Sequence, residues 1–141
     1  MKIKTTDNRG NPNGFLIPVW SVRDASGYRP AQVYVTAVAP KSVKGPHLHY
    51  RRYGMFCCIR GNVRIVCRLR TGEYKEFVSG DAHDHNRVSI PPGTPTAIYN
   101  DSDTEALVLN LPSPEWSAED PDEWPVANWN PPHEIQRDLS A

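Results

Sequence analysis

Short apolar runs, separated by proline and glycine, recur along the first 111 residues of the chain. In the run 63–70, the apolar residues Val63, Ile65 and Cys67 occupy every second position, which is typical of a strand with one buried face. Runs of this kind predict strands at 14–19, 32–38, 46–51, 55–60, 63–70, 73–77, 86–90, 96–99 and 106–111. The pair Gly61-Asn62 accepts positive φ and suits a two-residue hairpin. No segment before residue 112 has the period of a long amphipathic helix, so the pattern predicts an all-β, single-domain antiparallel jelly roll.

Composition narrows the class of protein. The chain has 141 residues, which suits one domain, and its 16 basic residues balance 16 acidic ones. Balanced charge argues against a nucleic-acid partner. No apolar run approaches the roughly 20 residues of a membrane span, and the polar start does not resemble a signal peptide. We therefore expect a soluble, cytoplasmic protein. Its three cysteines lie in apolar runs and are expected to be buried thiols.

The last thirty residues differ in character from the rest. They are rich in proline and contain Trp116, Trp124 and Trp129. Because each tryptophan can bury well over about 150 Å², we expect this segment to pack across the barrel or onto a partner subunit. A disordered tail is the alternative. The predicted division is a jelly-roll barrel over 1–111 and a C-terminal extension over 112–141.

The chemically informative segment is Gly45-Pro46-His47-Leu48-His49. Side chains two residues apart on a strand point to the same side of a sheet, so His47 and His49 are expected to share one face. Two imidazoles on one face could bind a metal ion or transfer protons. A second His-x-His pair, His83 and His85, lies in a Gly/Asp-rich connection and is expected to be a solvated loop rather than a metal site.

Several motifs, in order along the chain, resemble those of one family. They are Asp7-Asn8-Arg9-Gly10, Lys44-Gly45-Pro46-His47, the pair His47-x-His49 followed by Gly61, and Ile90-Pro91-Pro92-Gly93 followed by Asn100. Over roughly residues 7–125 the chain resembles a small cupin. Within the cupins it resembles the sugar-nucleotide branch, which includes dTDP-4-dehydrorhamnose 3,5-epimerases and dTDP-4-keto-6-deoxyhexose 3,4-ketoisomerases. The resemblance implies a cupin jelly-roll β-barrel.

Departures from the cupin motifs bear on metal binding. Metal-binding cupins supply two histidines and a glutamate from the first motif and a third histidine from the second. Here the place of the glutamate falls at Tyr53 or Gly54, and that of the third histidine at Thr96. Since zinc and iron sites generally need three or four protein ligands, we predict a barrel without a metal or other cofactor.

The resemblance also implies catalytic roles. It places His47 at the catalytic base of the epimerases, and His47 with His49 at the histidine pair of the ketoisomerases. Histidine suits this work because its pKa lies near working pH. Asp120, four residues before Trp124-Pro125, is the candidate acidic partner, and Tyr34 is the candidate acid. The carbonyl-binding lysine and catalytic tyrosine of the epimerases would fall near Gly54 and Leu109, so neither is present.

The same resemblance implies substrate contacts. Arg9 and Lys44 match positions that contact the diphosphate of a nucleotide sugar. Arg51 lies two residues after His49 on the predicted strand, so its side chain should point to the same face as the two histidines. We predict that it polarises the keto oxygen, although a one-residue bulge would turn it outward. Arg60 belongs to a locally basic region and is a further candidate. Trp116, with Tyr28 or Tyr53 as alternatives, is the candidate that stacks on the nucleobase.

The sequence is compatible with three functions. The first is a metal-independent epimerase or ketoisomerase that transfers protons beside a 4-keto group of a nucleotide-linked deoxysugar. The second is a non-catalytic cupin that binds a sugar or nucleotide. The third, disfavoured by Gly54 and Thr96, is a metal-dependent cupin enzyme. Because cupins of this branch resemble dimers that share an N-terminal strand, we expect a homodimer in which the apolar run 14–20 is shared.

Overall fold

The computed structural model describes residues 1–136, and these residues form ten strands with one short helix. The strands are β1 (Ile3–Thr6), β2 (Pro12–Leu16), β3 (Tyr34–Val38), β4 (Ser42–His47), β5 (Gly54–Arg60), β6 (Asn62–Arg68), β7 (Tyr74–Gly80), β8 (Arg87–Ile90), β9 (Thr96–Asn100) and β10 (Ala106–Asn110). A 3₁₀ turn spans Asp81–His83, and α1 spans His133–Gln136. No helix in the described part of the chain has the length and apolar character to cross a membrane. A cytoplasmic location stays a prediction.

Two four-stranded antiparallel sheets form the barrel. One sheet has the strand order β3-β10-β5-β8 and the other the order β4-β9-β6-β7, while β1 and β2 pair separately as a hairpin. The core between the two sheets contains residues from both, including Val38, Val63, Ile65 and Val108. The prediction of an all-β, single-domain jelly roll is therefore confirmed.

Both faces of β6 are buried, which its alternating pattern did not predict. Val63, Ile65 and Cys67 face the core between the sheets, as expected. On the opposite face, Val66 packs with Ala97 and Tyr99 beneath residues 129 and 135 of the C-terminal segment. That segment is further held by the buried Arg64, whose guanidinium donates to the main-chain carbonyl of Ile135 at 2.6 Å. Trp129 and Ile135 of the extension thus pack on the outer face of this sheet. Residues 137–141 of the predicted extension lie outside the described residues.

The predicted strand 46–51 is wrong in its bounds, and this error affects the site. The strand lies earlier, at Ser42–His47, and its pairing with β9 is irregular between Lys44 and His47. Gly45 lies in this irregularity with φ of 99°, and a Cβ there would meet the carbonyl oxygen of Thr96 at 2.9 Å. Only glycine therefore suits the position, and the chain leaves the sheet directly after His47. Strand β1 was not predicted because its sequence, IKTT, is mostly polar.

The expectation of a solvated loop is wrong for His85. Its side chain is 1% exposed, and its ring stacks on Phe15 of the N-terminal hairpin with 5.7 Å between ring centroids. Its Nδ1 atom lies 2.9 Å from the carbonyl oxygen of Cys58. Cys57, Cys58 and Cys67 are buried and free, as predicted, and burial raises the pKa of Cys58 to about 12.

Candidate active site

One pocket of about 490 Å³ opens at the end of the barrel where β4 ends and β5 begins. Its floor is apolar and is formed by Phe56, Ile90 and Ile98. The polar side chains around it are Gln32, Tyr34, Thr36, Lys44, His47, His49, Arg52, Thr94, Thr96, Asn110 and Glu123, with Trp116 at the rim. An apolar cavity of this size with a few convergent polar groups has the character of a small-molecule site.

His47 and His49 both line this pocket, as the sequence predicted, but for a different reason. His47 is the last residue of β4 and lies opposite Thr96 of β9. His49 lies beyond the strand, in a turn over residues 48–52. An antiparallel bridge between Leu48 and Trp124 holds this turn, with main-chain hydrogen bonds of 2.9 and 3.2 Å. The two imidazole rings consequently lie nearly parallel, with 6.3 Å between their centroids.

The hydrogen bonds of His49 define its tautomer. Its Nδ1 atom lies 2.7 Å from the main-chain carbonyl oxygen of Asp122. A carbonyl oxygen can only accept a hydrogen bond, so Nδ1 carries the proton. Nε2 then keeps its lone pair, which Nη2 of Arg52 approaches at 3.1 Å. Burial lowers the pKa of His49 below 6.5, and the charge of Arg52 lowers it further, against the opposing effect of the Asp122 hydrogen bond. His49 is therefore a neutral acceptor at neutral pH.

Arg52, rather than the predicted Arg51, reaches the pocket. Arg52 is 6% exposed, and its Nη2 atom lies 3.0 and 3.1 Å from the two ring nitrogens of His49. Arg51 points outward and pairs with Asp120 at 2.7 Å, with both side chains more than half exposed. The prediction that Arg51 faces the pocket is wrong. It assumed that side chains keep alternating between the two faces of the sheet after His47, but β4 ends at His47.

The segment after Pro121 supplies acidic residues that the sequence did not single out. Asp120 contacts neither histidine, so its predicted placement beside them is wrong, whereas Asp122 contacts His49 through its carbonyl oxygen. Glu123 lines the pocket. The sequence shows an acidic run at 119–123, just before Trp124. The run does not indicate which of its carboxylates lies near the histidines.

Tyr34 lies in the pocket on β3, where the sequence placed it. Lys44 and Trp116 also line the pocket, as predicted. The other three predicted binding residues, which are Arg51, Arg60 and Arg9, do not. Arg60 lies at the far end of β5 from Gly54, about 20 Å away at the rise of an extended strand. Arg9 lies in the turn of the β1–β2 hairpin, where the carboxylate of Asp7 accepts its main-chain N–H at 2.8 Å.

Metal ligands are sparse around the two histidines. Among residues 1–136, no group of three or more His, Cys, Asp or Glu side chains is placed to hold a metal ion. Thr96 faces His47 across β4 and β9, and its hydroxyl donates to the carbonyl oxygen of Thr94 at 2.9 Å. The polar side chains around the two histidines include proton carriers and hydrogen-bond donors.

Comparison with known proteins places the chain in a family. The family model described as "FdtA: WxcM-like, C-terminal" matches residues 1–123. Among curated protein sequences, none matches the chain.

Solved structures share the fold at low sequence identity. A dTDP sugar isomerase from Desulfovibrio desulfuricans G20 has a TM-score of 0.80 and 19% identity, covering 99% of this chain and 90% of its own. The sugar 3,4-ketoisomerase QdtA from Thermoanaerobacterium thermosaccharolyticum, in complex with TDP, has a TM-score of 0.68 and 19% identity, covering 91% and 86%. The capsular polysaccharide assembling protein CapF from Staphylococcus aureus has a TM-score of 0.63 and 24% identity over 69% of this chain, which spans only 26% of CapF.

Proposed function

The chain belongs to the family described as FdtA: WxcM-like, C-terminal, and on this premise we propose that it modifies a nucleotide-linked sugar. The proposed reaction is a metal-independent epimerisation or ketoisomerisation, in which protons are transferred beside a 4-keto group. The observation that carries this proposal is the neutral His49 in a defined tautomer, beside His47 and in one pocket with Tyr34.

The chemistry follows from these groups. The carbon next to a ketone bears an acidified C–H. The Nε2 lone pair of His49 can accept that proton as an enediolate forms, once Nη2 of Arg52 turns from Nε2 to the negatively charged oxygen of the substrate. A second group must return a proton to the other face or the neighbouring carbon, and the Tyr34 hydroxyl is the candidate. His47 is the second proton carrier on the side of His49. The family resemblance favoured His47 as the base. The variants His47→Asn and His49→Asn distinguish the two histidines.

The remaining pocket residues suit the parts of such a substrate. The cationic side chains of Lys44 and Arg52 can bind the diphosphate or polarise the keto oxygen. Trp116, 42% exposed at the rim, offers a face on which a nucleobase can stack. The apolar floor suits the methyl group of a 6-deoxysugar better than a hydroxymethyl group, whose hydroxyl would lack a partner there.

A non-catalytic binding protein is the second candidate. It is favoured by the absence of the epimerase lysine and tyrosine, whose places fall near Gly54 and Leu109. In the structure Gly54 is buried against Phe56, and a Cβ at Gly54 would meet that ring at 2.6 Å. No lysine side chain can therefore occupy this place without moving the floor of the pocket.

The test is exchange of substrate hydrogen with solvent. The protein is incubated with dTDP-4-keto-6-deoxyglucose in D₂O, and deuterium incorporation and migration of the keto group are followed by NMR. We expect deuterium at the carbon beside the ketone with the wild type, and its loss by at least about 10²-fold in His49→Asn. Loss in His47→Asn alone would identify His47 as the base. Binding without exchange would favour the second candidate, and loss of activity on chelation would contradict the metal-independent mechanism.

We further propose that the protein is a homodimer. The hairpin of β1 and β2 lies outside both barrel sheets and leaves Phe15 and Leu16 half exposed. Strand β3 is an edge strand, and Val35 within it and Val33 just before it are each more than half exposed. Apolar edge strands of this kind are usually covered. A second copy would cover them, and Arg9 at the tip of the hairpin could then reach the pocket of the partner.

A further inference from the structure

The turn over residues 48–52 carries two of the side chains in the pocket, and it has little structure of its own. It connects β4 to β5. Its main-chain contacts include the bridge between Leu48 and Trp124 and a hydrogen bond of 2.7 Å from the N–H of Gly93 to the carbonyl oxygen of His49. His49 and Arg52 project from it into the pocket, while Arg51 between them points outward. The geometry of the site therefore depends on what holds this turn.

One carboxylate accepts more main-chain hydrogen bonds from this turn than any other group that contacts it. Asp122 is 8% exposed, and its carboxylate accepts three consecutive main-chain N–H groups of the turn, from residues 50, 51 and 52, at 3.1, 2.9 and 2.9 Å. It also accepts the indole N–H of Trp124 at 3.2 Å. Four donors satisfy the acceptor sites of one ionised carboxylate. An amide or hydroxyl in its place could not satisfy them all.

The main chain on either side of this carboxylate contacts the two pocket residues. The carbonyl oxygen of Asp122 lies 2.7 Å from Nδ1 of His49, and the carbonyl oxygen of Pro121 lies 3.4 Å from Nη1 of Arg52. Asp122 has a φ of 48°, in the left-handed region, which Asp and Asn tolerate better than most residues. This conformation lets one residue direct its carboxylate to the turn and its carbonyl oxygen to the imidazole.

We propose that Asp122 is a positioning residue: its carboxylate holds the turn 48–52 in place, and its carbonyl oxygen thereby fixes the Nδ1–H tautomer of His49. The proposal differs from a carboxylate–imidazole pair, because the carboxylate acts on the main chain of the turn and the imidazole meets only a carbonyl. Only its kinetic consequence rests on the proposed function. The tautomer and the geometry of the turn are properties of the free protein.

The experiment is long-range ¹H–¹⁵N NMR of the histidine rings in wild type, Asp122→Asn and Asp120→Asn, without substrate. The His49 signals are assigned by their loss in His49→Asn. Asp122→Asn keeps size and tolerance of positive φ but replaces one acceptor oxygen by a donor. Asp120→Asn is the matched control, since Asp120 lies in the same segment and its carboxylate is 65% exposed and pairs with the side chain of Arg51. The charged and titratable groups around His49 are Arg52, Glu123, His47 and Asp122.

We expect wild type and Asp120→Asn to show His49 in the Nδ1–H form, and Asp122→Asn to show a mixture of both tautomers. The His49 titration midpoint should also shift in Asp122→Asn, because greater solvation of the ring raises its pKa while loss of the Asp122 hydrogen bond lowers it. With substrate, Asp122→Asn should lower kcat by about 10- to 100-fold and change KM by less than about threefold.

Two results would overturn the proposal. The first is a folded Asp122→Asn variant with the wild-type tautomer and midpoint. The second is a wild-type protein in which His49 is in the Nε2–H form. This measurement needs no variant, so it applies even if Asp122→Asn does not fold. Because these measurements use no substrate, they separate failure of this inference from failure of the proposed enzymatic function.

Discussion

The side-chain amide nitrogen of Asn110 lies 2.7 Å from the hydroxyl oxygen of Tyr34. The amide oxygen of Asn110 accepts the main-chain N–H of Met55 at 3.2 Å, which defines which end of the amide faces Tyr34. Because the amide nitrogen donates, the hydroxyl oxygen accepts, and the O–H proton of Tyr34 remains available to the pocket. This arrangement prepares Tyr34 to donate a proton to a bound ligand.

Removal of this hydroxyl should separate the two proton transfers. We expect Tyr34→Phe to lower kcat for product formation by about 10²-fold, the low end for general acid catalysis, with substrate affinity little changed. Deuterium exchange at the carbon beside the ketone should persist, since the histidines are intact. Tyr50→Phe is the control, because Tyr50 is 60% exposed and its ring contacts Trp124 outside the pocket. Wild-type product formation by Tyr34→Phe would exclude Tyr34 as the acid.

The lowered pKa of His49 predicts the acid limb of the pH profile. Burial disfavours the charged imidazole, so the ring stays neutral as pH falls through 6.5 and protonates only at lower pH. We therefore expect kcat/KM to decline with a midpoint below 6.5. Arg52→Gln removes a nearby positive charge, so it should raise that midpoint, provided that the variant keeps measurable activity. A wild-type midpoint above 6.5 would contradict the assignment of His49 as the base.

The adjacent arginines offer a matched pair of variants. Arg52 is buried beside His49 in the pocket, whereas Arg51 is exposed and pairs with Asp120. A hydrogen bond from a charged donor is worth about 1.5–3 kcal/mol, so Arg52→Ala should lower kcat/KM by about 10- to 100-fold. Arg51→Ala should stay within about threefold of wild type, because exposed ion pairs contribute little. The reverse order would mean that Arg51 reaches the substrate.

The carboxylate of Asp122 should make stability depend on pH in an acidic window. Burial raises its pKa, but the N–H groups of residues 51, 52 and 50 outweigh this and lower the pKa from 3.8 to about 2. The unfolded state then binds the proton first, so this stabilisation is complete above about 3.8 and is lost as pH falls to about 2. The shift sets an upper bound of roughly 2 kcal/mol, and solvent screening reduces it to about 1 kcal/mol.

The measurement is urea unfolding of wild type and Asp122→Asn between pH 2 and pH 6. The difference in unfolding free energy between them should narrow by about 1 kcal/mol across this window. Asp24, whose pKa is also lowered to about 2 by hydrogen bonds from Ser26 and Arg87, titrates in both proteins and cancels in the difference. A difference that does not depend on pH would show that Asp122 is not the titrating group.

The homodimer predicts a mass in solution. Size-exclusion chromatography with light scattering should give roughly twice the chain mass of 15.9 kDa. A charge at the exposed edge, in Val35→Glu, should shift the population towards monomer. Leu69→Glu is the control, since Leu69 is exposed in the turn between β6 and β7, which belong to the other sheet. A wild-type monomer at micromolar concentration would contradict the homodimer.

Local pattern was sufficient for the fold class and for part of the site. The alternation of Val63, Ile65 and Cys67 predicted a strand with a buried face, and repeated short runs predicted the all-β barrel. The family resemblance predicted His47, His49 and Tyr34 at one site, and all three line one pocket, although His49 reaches it from the turn after β4 and not from the strand. These features depend on neighbouring residues, which a sequence displays directly.

Contacts between distant segments decided the rest. Alternation along a strand predicts which way a side chain points only while the strand continues, and β4 ends at His47. Whether Arg51 or Arg52 enters the pocket therefore depended on the conformation of the turn that follows. That turn is held by Asp122, some seventy residues later, and nothing local distinguishes Asp122 from Asp120. His85 is likewise buried only because the N-terminal hairpin lies over it. In each case the deciding hydrogen bond or ring contact joins residues far apart in the chain, and only the folded chain brings them together.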